Sequence, residues 1–235
     1  MRPLVLVPTY NERDNLRPLV TALMAIEGLQ VLIVDDNSPD GTADDGDALA
    51  AESSGRVSVM RRSGPRGLGR SYIDGMTAAL RTDATHICQM DADFSHDPAA
   101  IPQLLAAAAG ADLVIGSRYI PGGKLCNWPA HRVALSRFAN WYVRAITRLP
   151  VHDCTSGFRC WTRSLLARLP LDHIVSDGYA FQVEMAWEAH AAGGRIREVP
   201  ITFVERREGQ SKMSGLVIME SVVLPWRLVA RPRSR

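Results

Sequence analysis

Five short runs rich in Val, Ile and Leu, at residues 4–7, 31–34, 57–60, 87–90 and 113–115, constrain this chain more than any other feature. Near-continuous apolar runs of that length suit strands buried on both faces of a parallel sheet. Between them, Leu68, Tyr72, Ile73, Met76, Ala79 and Leu80 recur at three- and four-residue spacing, which lays one apolar face of a helix on such a sheet. The alternation predicts an α/β fold, an open, mostly parallel, Rossmann-like sheet flanked by helices, with ligands at the carboxyl ends of its strands. Residues 8–12, 35–40 and 91–96 fall there, so polar groups collect on one edge.

After Gly116 the rhythm changes. A loop carries Gly122 and Gly123, a long helix is expected over 131–148, a second loop over 153–159, a helix over 179–192 and a return strand over 201–204. Residues 206–215 are polar and contain glycine, which reads as a loop before a final amphipathic helix over 216–230. That helix groups Leu216, Met219, Val222, Val223, Trp226 and Val229 on one side, with Arg227, Arg231, Arg233 and Arg235 at its end. An apolar face with a basic end suits a lipid surface, and packing of the same face into the core is the alternative.

With 27 basic and 25 acidic residues, the net charge of +2 lacks the strongly basic balance of a nucleic-acid binder. Only Lys124 and Lys212 are lysines; every other basic side chain is arginine. The four cysteines form no CxxC pair and are too sparse for a disulfide framework, which fits a reducing cytoplasm and gives no zinc signature. The amino terminus has no signal-peptide pattern, and Glu220 and Arg227 interrupt the longest late apolar stretch. Any membrane contact is therefore expected to be peripheral, on the cytoplasmic face.

The strongest chemical element is Asp91-Ala92-Asp93 at the end of a buried strand, where two carboxylates can share a hard divalent cation with a diphosphate. Capping of the next helix is the alternative, but Asp97-Pro98 already supplies that cap. Asp36, within the acidic cluster after the second strand, is a candidate to accept hydrogen bonds from a nucleobase or ribose; an Asx turn accounts for some of its neighbours. Gly64-Pro65-Arg66-Gly67-Leu68-Gly69 lies between a strand and a helix, where its amides could meet a nucleotide. Its spacing is not GxGxxG, which argues against a nicotinamide-dependent oxidoreductase. His96, His131 and His152 read as loop or capping residues, and Gln182 and Glu184 either face the cleft or satisfy a nearby arginine.

Residues 8–12 (PTYNE), 34–42 (VDDNSPDGT), 91–96 (DADFSH) and 116–119 (GSRY) resemble, in order and spacing, the GT-A core of the glycosyltransferase family 2 enzymes. Residues 153–159 (DCTSGFR), 178–184 (GYAFQVE) and 211–213 (SKM) are similar to the dolichol-phosphate (polyprenol monophospho-) mannose synthases. The resemblance implies a GT-A catalytic domain over 1–205, with a basic loop and interfacial helix over 206–235. It places Pro8, Tyr10, Glu12 and Asp36 on the nucleoside, and Asp91, Ala92 and Asp93 on the nucleotide sugar. Asp91, Asp93 and Ser95 then surround Mg²⁺ or Mn²⁺; some relatives carry glutamine where this chain has Ser95. Arg206 and Lys212 match the basic loop over the donor diphosphate, and Arg118, Arg132 and Ser136 match positions near the acceptor phosphate. Asp93, Arg118 and Arg132 thereby become the catalytic candidates.

The implied reaction is inverting transfer of mannose from GDP-mannose to a membrane polyprenyl monophosphate, with a separate membrane protein as a possible further partner. Arginine's planar fork of donors suits phosphate oxygens, although the stem of Arg132 can equally pack on Trp128. Glucosyl transfer from UDP-glucose, or a non-catalytic nucleotide-sugar-binding protein, are the alternatives; the intact Asp91, Asp93 and Lys212 argue against the second.

Overall fold

The computed structural model describes residues 1–205 and 215–231, with the backbone only for 215–221. The first half alternates as expected: β1 (Pro3–Thr9), α1 (Arg13–Met24), β2 (Gln30–Asp35), α2 (Thr42–Glu52), β3 (Val57–Arg61), α3 (Leu68–Ala79) and β4 (His86–Gln89). A 3-10 turn, Pro98–Ala100, leads into α4 (Ile101–Ala107) and β5 (Leu113–Ser117). Asp97 caps that turn by accepting from the Ala99 amide at 2.9 Å, with proline at the first helical position. Beyond it follow β6 (Lys124–Cys126), α5 (Ala130–Thr147), β7 (Arg159–Thr162), the short α6 (Arg163–Leu166), α7 (Gly178–Ala191), β8 (Ile196–Pro200), β9 (Thr202–Val204) and α8 (Gly215–Ala230).

Among the described residues, seven strands form one sheet in the order β3-β2-β1-β4-β7-β5-β8, and all pairings are parallel except those of β7. The chain winds outward from β1 through β2 to β3, then returns to place β4 on the other side of β1. That reversal opens a crevice at the carboxyl ends of β1, β2 and β4, where an open α/β sheet receives its ligand. Pro8 is tolerated in this central strand because the β1–β4 ladder ends at Leu6↔Gln89, so its missing N–H costs no bond on that side.

The sheet divides two apolar layers. Leu16, Leu19, Leu23, Ile33, Leu104 and Phe158 fill one, while Tyr72, Met76, Trp161, Phe181, Leu224 and Leu228 fill the other. Leu16, Leu19, Val20 and Leu23 present the buried stripe of α1, and each such leucine contributes about 1.5–3 kcal/mol when fully buried.

Two strands differ from the sequence expectation. The loop expected over 153–159 gives way at Arg159 to β7, which carries a wholly buried arginine that no hydrophobic pattern announces. The strand expected over 201–204 is present as β9 but pairs with β6 in a separate two-stranded ribbon, while β8, which was not expected, takes the sheet edge. β8 reads Ile-Arg-Glu-Val-Pro because an edge strand is only half covered, so charged residues belong there.

α8 packs against α5 and α7. Leu224 and Leu228 enter the core, while Val222, Val223, Trp226 and Val229 stay exposed, so the face expected to meet a lipid surface or the core is not the one that packs inward. The Tyr142 hydroxyl donates to the Val222 carbonyl and accepts from Trp226 Nε1, each at 2.9 Å. No helix among the described residues is long and apolar enough to cross a membrane.

Candidate active site

Two carboxylates stand just beyond β4. Asp91 is partly open, and its Oδ1 accepts from the Tyr72 hydroxyl at 3.0 Å. Burial, then the charge of Asp91, holds the Tyr72 pKa well above its ordinary value, so the phenol remains a neutral donor. Asp93 is buried and accepts from the Ser95 amide at 3.0 Å. Between them Phe94 adopts φ +59°, a conformation that costs an aromatic residue about 1–3 kcal/mol and bends the chain so that Ser95 turns back on Asp93. The Ser95 hydroxyl is buried without a partner among the described residues.

A buried hydroxyl with no partner calls for a ligand, and an all-oxygen set of two carboxylates and one hydroxyl suits Mg²⁺ or Mn²⁺. No cluster of three His, Cys, Asp or Glu side chains forms a ready-made metal site among the described residues, so a cation here would need further oxygens from outside these side chains.

His96 joins this corner to the rest of the cleft. Its Nδ1 accepts from the Asp91 amide at 3.3 Å, and its ring stacks on Phe158 at 4.9 Å and meets Phe203 edge-on at 5.4 Å. Burial lowers its pKa despite the nearby Asp91 and Asp93, leaving a neutral ring that packs rather than titrates near neutral pH. The Asp91 carboxylate lies 4.0 Å from this imidazole.

Arg118 follows β5 and is buried. Asp153, fully buried, accepts from its Nε at 2.7 Å, its Nη2 at 2.6 Å and its backbone N–H at 2.9 Å, and Thr155 accepts from Nη2 at 2.8 Å. Burial alone would lower the Arg118 pKa, but the charge and hydrogen bonds of Asp153 raise it above its ordinary value. Nη1 has no hydrogen-bond partner among the described residues. A Cβ at Gly123 would lie 2.7 Å from the Arg118 carbonyl carbon, which explains why this loop requires glycine.

Arg132, on the first turn of α5, pairs with Glu205 and lies 4.3 Å over the Trp128 ring. The packing on Trp128 is thus realised, and the charge is held by Glu205. Ser136, one turn further on, accepts from the Tyr119 hydroxyl at 2.6 Å, and the Phe203 ring lies 5.3 Å from the Arg118 guanidinium. Asp91, His96, Phe203, Arg118, Trp128 and Arg132 therefore form one continuous chain of contacts.

The expected nucleoside residues line the neighbouring strand tips, with much of their bonding capacity already used. Asp36 is buried, paired with Arg62 and accepting from the Gly67 amide at 2.8 Å. The Gly69 amide donates to Asp177 at 2.6 Å, so two amides of the glycine segment hold carboxylates of this chain instead of standing open to a nucleotide. A Cβ at Gly67 would meet Asp177 Oδ2 at 2.5 Å. Tyr10 lies under the Arg66 guanidinium at 4.5 Å, Glu12 precedes α1 and accepts from Asn15, Pro8 is half-buried and Ala92 is buried. Arg206 and Lys212, and the side chains of Leu216 and Met219, lie outside the described residues.

Glu184 is fully buried and 2.8 Å from Arg231, so it serves an arginine; Gln182 is buried close to Gly157, whose Cβ would also approach Asp91. The sequence expectation omits Tyr72, Arg62 and Asp153 from the site. Only Asp153 carried a signal, since it opens one of the motifs that narrowed the resemblance.

The glycosyl transferase family 2 model matches residues 4–174, and this chain belongs to that family. It is 45% identical over 98% of its length to a polyprenol monophosphomannose synthase of Mycolicibacterium smegmatis, covering 88% of that protein. It is likewise 46% identical over 98% of its length to an undecaprenyl-phosphate mannosyltransferase of Micrococcus luteus, covering 96% of that protein. The fold matches glucosyl-3-phosphoglycerate synthase of Mycobacterium tuberculosis, solved with Mn²⁺, UDP and phosphoglyceric acid, at a TM-score of 0.72, 18% identity and coverage of 98% of this chain and 79% of that one.

Proposed function

We propose that this protein transfers mannose, with inversion, from GDP-mannose to a polyprenyl monophosphate at the membrane surface. One observation carries the reading: Asp91 lies 4.0 Å from His96, and the Phe203 ring meets both the His96 ring at 5.4 Å and the Arg118 guanidinium at 5.3 Å, which supports a cleft shared by a cation-binding carboxylate and a phosphate-binding arginine. The nearly full-length relatives, by their names, supply the sugar and the lipid class.

Asp91, Asp93 and Ser95 hold Mg²⁺ or Mn²⁺, which when bound neutralises charge on the leaving diphosphate. Pro8, Tyr10, Glu12 and Asp36 surround the nucleoside, and Ala92 lets the donor approach the strand tip. A phosphate monoester has its second pKa near 6, so it is largely dianionic at neutral pH and attacks the anomeric carbon without a general base. Arg118 offers its remaining Nη1 to that phosphate, Arg132 exchanges Glu205 for it, and Ser136 adds a hydroxyl. Arg206 and Lys212 complete the charge balance over the diphosphate.

Residues 1–205 act as the catalytic unit and 206–235 as the segment that meets the lipid. The exposed Leu135, Phe138 and Trp141 of α5, together with Val222, Trp226 and Val229 of α8, face the cytoplasmic surface of the bilayer. The test is incubation of purified protein with radiolabelled GDP-mannose, Mg²⁺ or Mn²⁺ and a short polyprenyl phosphate. Label should enter the organic phase only when metal is present. Transfer from UDP-glucose instead would replace the mannose assignment, and absence of product from either donor would sink the enzymatic reading.

A further inference from the structure

A cavity of about 220 Å³ lies beside the cleft, lined by Tyr119, Arg137, Asn140, Trp141, Arg144 and His152. Its charge is unbalanced. Neither Arg137 nor Arg144 has a carboxylate partner among the described residues, whereas the neighbouring Arg118 and Arg132 do. Glu198, the acid beside His152, is already engaged: it accepts from the His152 and Asp153 amides at 2.8 and 2.9 Å and faces the His152 ring at 2.8 Å.

The uncharged walls are engaged as well. Asn140 donates to the Ser136 carbonyl and to Thr155 and accepts from the Cys154 amide, while the Tyr119 hydroxyl donates to Ser136. The permanently charged donors left for a guest are the two guanidinium groups, whose geometry suits phosphate oxygens.

The rim identifies the source of that phosphate. Leu135, Phe138 and Trp141 are 55%, 58% and 62% exposed and follow one another at three-residue spacing along α5. Across the junction with α8, Trp226 is tied to Tyr142 and 59% exposed. Unpaired cations bordered by exposed aromatic and aliphatic side chains match a molecule with an anionic head and an apolar tail. Free phosphate would make no use of the apolar stripe.

We propose that Arg137 and Arg144 form a second phosphate site, separate from the acceptor position at Arg118, Arg132 and Ser136, and that it holds the headgroup of an anionic membrane phospholipid. The site orients the cleft toward the bilayer and does not depend on which sugar is transferred.

The full chain is tested for partition onto phosphatidylcholine vesicles with and without phosphatidylglycerol. Each arginine near an anionic surface changes binding about fivefold, so Arg137→Gln with Arg144→Gln should lower partition onto the anionic vesicles about twenty-fivefold. Partition onto phosphatidylcholine alone should hardly change. Arg2→Gln with Arg81→Gln removes the same charge from the segments that precede β1 and β4 and should have little effect. Circular dichroism checks that each variant folds, and activity on a detergent-dispersed short polyprenyl phosphate should stay at the parent level.

Equal losses in the two double variants would reduce the effect to net charge and overturn the site. Unchanged partition of the Arg137/Arg144 variant would do the same, and a loss of dispersed-acceptor activity would merge the cavity with the acceptor position. Inorganic phosphate that raises the thermal midpoint of the parent but not of the variant, with vesicle binding unaltered, would assign a soluble anion in place of a lipid. If no protein forms product with any donor, the transfer reading fails while the partition comparison still decides this one.

Discussion

The two sides of the cleft hold their charges in opposite ways. On the proposed donor side Asp91 accepts from the Tyr72 phenol, a neutral donor that orients the carboxylate without consuming its charge, and Asp93 accepts from the Ser95 amide. On the proposed acceptor side each arginine is held by an acid, Arg118 by the fully buried Asp153 and Arg132 by the half-buried Glu205. An acid oriented by neutral groups stays ready for a cation. An arginine oriented by a carboxylate must share itself with an incoming phosphate or give up its partner, and burial decides which. Asp153 cannot leave Arg118 without stranding a charge in the interior, whereas Glu205 can be exchanged for a stronger anion.

The sharpest way to break this comparison is to remove a donor-side charge. Asp93→Ala is expected to lower turnover at least about a thousandfold, roughly 4 kcal/mol of transition-state stabilisation, with the fold retained. Near-parent turnover in excess Mg²⁺ or Mn²⁺ would contradict the oxygen cage around Ser95. The next effect tests the fixed arginine. Asp153→Asn leaves Arg118 buried without its counter-charge and should cost about 3 kcal/mol in denaturant unfolding, measured from the shift in midpoint.

A smaller effect tests the exchangeable pair. Glu205→Gln should change stability by less than about 1 kcal/mol and lower the acceptor KM about threefold, because Arg132 no longer has to leave a carboxylate. A raised KM would mean that Glu205 positions Arg132 instead of competing for it. The smallest effect lies at the lipid-facing junction. Tyr142→Phe removes the hydroxyl that joins α5 to α8 and should cost about 0.5 kcal/mol, read as a small drop in thermal midpoint with donor-side kinetics unchanged.

Much of the donor side was legible beforehand because it depends on local pattern. Asp91 and Asp93 follow a buried apolar run, and the tip of a parallel strand in an open α/β sheet faces the ligand crevice. Asp97-Pro98 announced its own cap. The acceptor side was less legible, since its partners come from distant segments: Arg118 meets Asp153 across 35 residues and Arg132 meets Glu205 across 73. Asp36 shows the same limit. Its place at a strand tip was readable, but Arg62 and Gly67, which occupy its two oxygens, were not.

The sequence by itself determined the alternation of strands and helices, the family, and the edge on which acids would gather, because periodicity and strand-end placement are local consequences of backbone geometry. Tertiary structure alone decided which charges stay available. Whether a carboxylate or a guanidinium is matched depends on what folding brings beside it and how much water remains there, and neither quantity is written in the spacing of residues along the chain.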